Sequence, residues 1–398
     1  MPLVEPRDGV PPVVTCEAGL AATAAAFAAG HGPVAVDAER ASGYRYGQRA
    51  YLVQIRRDGA GTALLDPVAV PDLSALSAAL SATEWVLHAA SQDLPCLADV
   101  GMVPDQVFDT ELAARLLGYE RVGLAAVVAQ VLGLGLAKEH SAVDWSTRPL
   151  PDDWLRYAAL DVEVLVEVRH TMAAELDAAG KTQWAAQEFE AVRTAPPPPP
   201  RPDPWRRVSG LHAVKGRRNL AVVRELWTVR DAQGQARDLA PGRVLPDRAI
   251  IAAALALPRT VDELRTLPVF SGRRTSRRAE LWQVAVDRAL GLRDDELPPV
   301  HGPKSDGPPP VRGWRDRDPD AAARITAARA GVAALATMHN VPAENVVAPD
   351  LIRRLCWSPP SPATPDAVAE ALAAGGARPW QVELTTPVLA DALGRRRT

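Results

Sequence analysis

Pro33-Val34-Ala35-Val36-Asp37-Ala38-Glu39 decides how the rest of the chain is read. Small and branched apolar residues run directly into two carboxylates spaced i, i+2. In a β-strand, side chains alternate faces at about 3.3 Å per residue, so Asp37 and Glu39 project to one side roughly 6.6 Å apart. Two charges at that separation repel by about 2.5 kcal/mol at an effective dielectric of 20. A strand end carrying such a pair either runs out into a solvated loop or shares a cation between its carboxylates.

Outward from this strand, residues 50–56 and 62–66 read as two more, with Asp58-Gly59 and Gly61 as turn material. A helix at 72–80, a strand at 84–88, a helix at 92–99, a brief strand at Val107-Phe108 and helices at 110–117 and 124–132 follow. Antiparallel strands passing into strands mixed with helices predict an α/β fold with a mixed sheet. Asp152-Asp153 starts a helix, with helical apolar spacing from Trp154 to Leu176 that fades by Arg193. The Ala-rich stretch Gly19 to Gly30 is too short to span a bilayer and suits a short surface helix.

The chain has 398 residues, enough for two or three domains. The polyproline run Ala195 to Pro204 is a stiff linker, and Pro298–Pro310 is a second Pro/Gly-rich break. These divide the chain into residues 1–195, a linker at 196–204, an all-helical unit at 205–297, a linker at 298–310 and a last helical unit at 311–398. Asp238-Leu239-Ala240-Pro241 with Val244-Leu245-Pro246-Asp247 is echoed by Asn340-Val341-Pro342 with Val346-Val347-Ala348-Pro349-Asp350, which predicts two related modules. Charge follows the same division. Residues 1–195 carry 14 basic against 26 acidic side chains, residues 196–297 carry 19 against 12, and the rest 12 against 10. An acidic first half joined to a basic middle suits a carboxylate-rich metal site served by an arm that holds a polyanion. Cys16, Cys96 and Cys356 are far apart and odd in number, against a disulfide framework or a zinc site. The first residues lack a signal-peptide pattern, so a cytoplasmic protein with no membrane association is expected.

Two further patterns can complete a metal site with Asp37-x-Glu39. Val86-Leu87-His88-Ala89-Ala90-Ser91-Gln92-Asp93 places a carboxylate just past a strand, where it either caps a helix or reaches a metal at the sheet's edge. Tyr157-Ala158-Ala159-Leu160-Asp161 puts a phenol and a carboxylate on one helical face with Cβ atoms about 6 Å apart, which is also compatible with an ordinary amphipathic helix. In this order, the three patterns resemble the DEDD superfamily of 3′→5′ exonucleases, in its tyrosine subclass, and most closely the ribonuclease D family. The resemblance covers roughly residues 20–195 and extends to Leu52-Val53-Gln54-Ile55, Phe108-Asp109-Thr110 and Asp144-Trp145-Ser146-Thr147-Arg148-Pro149-Leu150. The middle segment resembles the HRDC module, a small nucleic-acid-binding domain, through Trp227, Arg230, Val244-Leu245-Pro246-Asp247, Pro258 and Glu263-Leu264. No GxxxxGK[ST] stretch is present, which argues against a helicase carrying such a module.

The resemblance implies a ribonuclease H-like mixed-sheet exonuclease domain followed by one or two HRDC-type helical domains. It also implies two divalent ions, Mg²⁺ or Mn²⁺, bound by Asp37, Glu39, Asp93 and Asp161. Asp37 would bridge both, Glu39 and Asp161 would hold the ion carrying the attacking water, and Asp93 the ion near the leaving 3′-oxygen. Tyr157 would orient that water or act as a base toward it; with a free pKa near 10, orientation is the easier role. The expected reaction releases nucleoside 5′-monophosphates stepwise from RNA 3′ ends, on structured RNA such as tRNA precursors, by a monomeric enzyme. His88 can approach the terminal nucleotide or serve as a structural histidine. Lys138 and Arg148 are candidate phosphate contacts, and the runs Arg206-Arg207, Lys215-Gly-Arg217-Arg218 and Arg273-Arg274-Thr-Ser-Arg277-Arg278 are better ones or else solvated helix faces. Arg40 stands where many relatives would carry an apolar or aromatic residue, which bears on how the terminal nucleotide is stacked. A DNA exonuclease would use the same carboxylates, because sugar choice depends on contacts to the 2′-hydroxyl. A catalytically silent RNA-binding protein is the remaining alternative.

Overall fold

The structure is a computed structural model that describes every residue except Met1, 137–139, 141, 273–276, 303–306 and 395–398. Eight strands are present among the described residues: β1 (Pro2–Leu3), β2 (Val13–Val14), β3 (His31–Arg40), β4 (Ala50–Asp58), β5 (Gly61–Leu65), β6 (Glu84–Leu87), β7 (Gln106–Asp109) and β8 (Gly135–Leu136). Six of them form one sheet in the order β2-β5-β4-β3-β6-β7, while β1 pairs with β8. The β3-β4-β5 meander is antiparallel, and β6 and β7 add in parallel beside β3. This is the mixed sheet that the strand pattern predicts.

Period-two alternation on β3 sorts its side chains between two layers. Val34, Val36 and Ala38 pack with Leu20, Phe27, Leu73 and Leu76. These come from the helices Glu17–Ala29 and Ser74–Ala79 and the turn before the latter. The Ala-rich stretch is the short surface helix expected: Leu20 and Phe27 anchor it on the sheet, and most of its other residues are exposed. Ala35 lies on the opposite side, in a core shared with Val86, Val162 and Leu165. Asp37 and Glu39 share the parity of Ala35 and face the helices that follow Asp152, the first of which carries both Tyr157 and Asp161.

Those helices differ from the sequence expectation. The helical run predicted after Asp152 is divided into Asp152–Glu163, Leu165–Ala178 and Thr182–Arg193. Val164 leaves helical geometry at φ −120° and ψ 4°. The chain is buried on both sides of this break, at Leu160, Val162, Val164, Leu165, Val166 and Val168, so no single apolar stripe marks the point where one helix ends and the next begins.

The two C-terminal helical units repeat an element order. In each, a 21-residue helix (Arg217–Arg237, Pro319–His339) ends at a left-handed residue, Asp238 or Asn340. A four-residue helix follows (Pro241–Val244, Ala343–Val346), and then a longer one (Asp247–Ala256, Pro349–Trp357). Their packing differs. The middle unit has its own core, built on Trp205, Leu226, Ile250, Phe270 and Trp282. The last unit shares one core with the helices of the first domain, in which Val128, Met172 and Phe189 join Ile325, Val346 and Trp380. Trp380 stacks on Trp184 at 4.4 Å, and its indole N–H donates to Glu188 at 2.9 Å. The buried Lys181 ammonium donates to the carbonyls of Leu116 and His339, each at 2.6 Å.

This shared core predicts joint unfolding of the first domain and the last unit. Trp380→Ala should cost about 3–5 kcal/mol and lower the denaturant midpoint seen by a probe inside the β3–β6 sheet. A sheet probe whose midpoint stays at the wild-type value would show that the two units melt independently.

Candidate active site

Three elements deliver the site carboxylates. Across the β3–β4 ladder Asp37 is paired with Gln54 and Glu39 with Leu52. Gln54 is buried and its amide N–H donates to Asp37 Oδ2 at 2.7 Å, which fixes the direction of that carboxylate. Asp161 comes from the helix Asp152–Glu163, where Leu160 and Val162 on either side are buried. Oxygen atoms of Asp37, Glu39 and Asp161 lie within 4.8 Å of one another. One turn earlier, Tyr157 donates its hydroxyl proton to Asp161. The Trp145 and His140 rings stand beside the Tyr157 ring, with centroids at 6.4 and 5.8 Å.

Asp93 arrives by a turn rather than a strand. After β6 the chain passes Ala89 in the left-handed region (φ 59°) and a 3₁₀ turn, Ala90–Gln92. Asp109, at the start of the helix Thr110–Leu116, holds this turn. It accepts from the amides of Ala89 and Ala90 at 3.0 and 2.8 Å and from those of Glu111 and Leu112 at 2.9 and 3.2 Å. Asp93 itself makes no capping bond. Its Oδ1 is 3.6 Å from Nη2 of Arg40.

The charges of these groups act on one another. Burial first, then Asp37, Asp161 and Asp93, push Glu39 up to about 10. Burial and the charge of Asp37 push Asp93 up to about 8. Asp37 and Asp161 are also raised, chiefly by burial, and Tyr157 is raised by burial and by Asp161 and Glu39. Desolvation disfavours a lone carboxylate, and like neighbours add to the penalty. Hard oxygen donors gathered with uncompensated charge fit a divalent cation such as Mg²⁺ or Mn²⁺ and do not fit a soft metal.

The other candidates fall in different places. His88 accepts or donates at 2.9 Å with the Thr110 hydroxyl, and burial pushes it down to about 4, so it is a neutral structural histidine at neutral pH. Arg148 donates twice to Asp66 and to the carbonyls of Tyr51, Trp145 and Thr147. Its guanidinium ties β4 and β5 to the loop before Tyr157 and is not available to phosphate. Arg206 pairs with Asp203 and donates to Pro299 and Val300. Arg217 donates to the carbonyls of Asp294, Leu297 and Pro298, and Arg218 to those of Ala289, Leu290 and Leu292. These three arginines close the end of the middle unit. Arg278 donates to Gln233. Arg207, Lys215 and Arg277 are exposed. Lys138, Arg273 and Arg274 lie outside the described residues.

Sequence reasoning gave no role to Gln54, Asp109 or the Arg40–Asp93 pair. The first two sit in stretches that carry the family resemblance, which was the available signal; their partners are set by tertiary pairing.

Comparison with known proteins agrees with this geometry. Family models described as a 3′-5′ exonuclease, an HRDC domain and a 3′ to 5′ exonuclease C-terminal domain match residues 11–177, 219–286 and 307–393. Ribonuclease D of Escherichia coli is 30% identical over 271 residues, 67% of this chain and 71% of that protein. The chain belongs to the ribonuclease D family. The Nitrobacter hamburgensis ribonuclease D is 33% identical over 224 residues, covering 55% of this chain and 58% of that relative's length. In three dimensions, a protein from Bifidobacterium adolescentis superposes with a TM-score of 0.90 at 39% identity, covering 99% of both chains. The E. coli RNase D structure, described as an exoribonuclease involved in structured RNA processing, gives 0.68 at 25% identity and covers 96% of this chain and 98% of that one. Among the described residues, no helix is long and apolar enough to cross a membrane.

The raised carboxylates of this ribonuclease D family member have a pH consequence. Unfolded Asp and Glu titrate near pH 4, whereas Asp93 and Glu39 in the metal-free fold hold protons to about 8 and 10. Unfolding therefore releases protons across that window, and stability falls as pH rises through it. In EDTA the melting temperature should drop between about pH 6 and about pH 8.5, and saturating Mg²⁺ should raise it more at the higher pH. An Mg²⁺ increment that is equal at both pH values would contradict buried-charge compensation.

Proposed function

We propose that this chain is a 3′→5′ exoribonuclease whose working site is Asp37, Glu39, Asp93, Tyr157 and Asp161, served by two divalent cations, Mg²⁺ or Mn²⁺. The observation that carries this reading is the meeting of Asp37, Glu39 and Asp161 oxygens within 4.8 Å, with Asp93 set apart beside Asp37 and Tyr157 bonded to Asp161. Asp37, whose charge acts on both Glu39 and Asp93, would contribute to holding both cations, with Glu39 and Asp161 holding one and Asp93 the other. When bound, such a pair supplies an activated water and offsets charge on the attacking and leaving oxygens.

The protein's own groups do the positioning. Gln54 fixes one oxygen of Asp37 at 2.7 Å. Tyr157 is held by Asp161, and its proton is bound more tightly than that of a free phenol. The role we assign it is to orient the attacking water by hydrogen bonding. Hydrolysis at the terminal phosphodiester releases a nucleoside 5′-monophosphate and leaves a new 3′-hydroxyl for the next cycle.

The E. coli relative's role in structured RNA processing supports structured RNA as the substrate here; tRNA precursors, handled by a cytoplasmic monomer, are the form of it we favour. In the domain scheme we favour, residues 1–195 cut, while 205–297 and 311–398 present the RNA. The exposed Arg207, Lys215 and Arg277 of the middle unit are the phosphate contacts that remain after the structural arginines are set aside.

Asp37→Asn removes the bridging charge and should lower turnover of a labelled RNA oligonucleotide in Mg²⁺ by ~100-fold or more. Retained cleavage in that variant, or cleavage by wild type in EDTA, would refute the metal-dependent mechanism; faster loss of a matched DNA strand would make this a DNA exonuclease. Arg207→Ala, Lys215→Ala and Arg277→Ala combined should weaken binding of a folded tRNA-like RNA. The slope of log K against log salt should fall by about 0.7–0.9 for each phosphate no longer neutralised, with hydrolysis of a short single strand unchanged. An unaltered slope would remove the middle unit from RNA binding.

A further inference from the structure

Arg40 is a basic side chain placed directly after Glu39, in a corner otherwise given over to carboxylates. Strict alternation would send it to the Val36 and Ala38 side of the sheet. The β3–β4 register changes at this point: Glu39 is opposite Leu52 and Arg40 is opposite Ala50, so Tyr51 is an extra residue on β4. A bulge of this kind re-aims the side chain beside it. The Arg40 guanidinium reaches Asp93 Oδ1 at 3.6 Å, with its side chain 26% exposed against 8% for Asp93. Its charge also favours the ionised forms of Asp37 and Glu39.

The pair is loose. Charge-assisted hydrogen bonds between guanidinium and carboxylate run about 2.7–2.9 Å and are often bidentate, as Arg148 with Asp66 is at 2.8 and 2.7 Å. Arg40 has a single ion pair at 3.6 Å and an open side toward solvent. Among the described residues no other arginine or lysine acts on the charge of Asp93. A divalent ion at Asp93 would take the place of the guanidinium there and free it toward solvent. There the incoming group is an RNA phosphate, whose oxygens match the guanidinium fork.

We propose that Arg40 is a phosphate-binding residue held in reserve on Asp93, which yields Asp93 to a divalent cation and then takes a non-bridging oxygen of a phosphate next to the RNA 3′ end. This rests on the metal-dependent exonuclease reading of the same site.

Arg40→Gln and Arg40→Lys, compared with wild type in the full chain, test it. Calorimetric titration with Mn²⁺ alone should show severalfold tighter binding in Arg40→Gln, because the competing internal cation is gone. Anisotropy of a labelled single-stranded RNA in Ca²⁺ should show about tenfold weaker binding, with a salt slope smaller by about 0.7, as expected when one phosphate of a single strand is no longer neutralised. Arg40→Lys should restore the slope. In steady state, KM should rise more than kcat falls. Unchanged Mn²⁺ affinity, or an unchanged RNA salt slope, overturns the proposal. Asp37→Asn titrated with Mn²⁺ in parallel separates the two readings. If wild type and Asp37→Asn bind Mn²⁺ alike, the metal site itself is wrong; if Asp37→Asn loses binding while Arg40→Gln behaves as wild type, the role of Arg40 alone fails.

Discussion

Desolvated negative charge is the constraint on which the rest of the structure depends. Four carboxylates are drawn into one partly buried corner, and each makes its neighbours harder to ionise. The surroundings answer with neutral donors. Gln54 supports Asp37, the Tyr157 hydroxyl supports Asp161, and the backbone turn that brings Asp93 is held through Asp109. Neutral donors fix geometry without cancelling charge, so the site keeps its demand for a cation. Full-strength arginine pairs are kept elsewhere, such as Arg148 with Asp66 and Arg230 with Asp247.

The parts of this arrangement that follow local periodicity were legible in the chain. The i, i+2 spacing on β3 and the i, i+4 spacing of Tyr157 and Asp161 carry their own geometry, so the strand, the helix and the shared faces could be stated before any coordinates. The meander was legible for the same reason, since turn residues separate alternating strands. The break at Val164 was not, because helical spacing in one dimension does not say which of two surfaces each apolar residue will meet. Nor were Gln54 and Asp109 assignable, because their roles arise only when β4 is registered against β3 and the loop after β6 meets the end of β7.

Arginine runs were the least informative feature. Arg206, Arg217 and Arg218 look like a polyanion-binding face in sequence, yet most of their partners are carbonyls 71 to 94 residues away. Those oxygens lie at a helix C-terminus and in the segment that follows it, where backbone acceptors lack intrahelical donors. Clustered positive charge here closes a helix end, and composition alone does not tell that use from a polyanion-binding surface.

The two helical units are joined to the first domain in different ways. The middle unit reaches it mainly through polar contacts to the loop after Glu39: Asp238 accepts from the amides of Tyr46 and Gly47, Ala240 donates to Tyr44, and Arg243 donates to Gly43 and covers the Tyr44 ring. Among the described residues, the last unit has no core apart from the one it completes in the first domain. A lineage could therefore exchange, duplicate or lose the middle unit by altering a few surface residues. Parting with the last would strip apolar surface from the nuclease helices themselves, so those two pieces are bound to change together, residue against residue, across the Trp184–Trp380 seam.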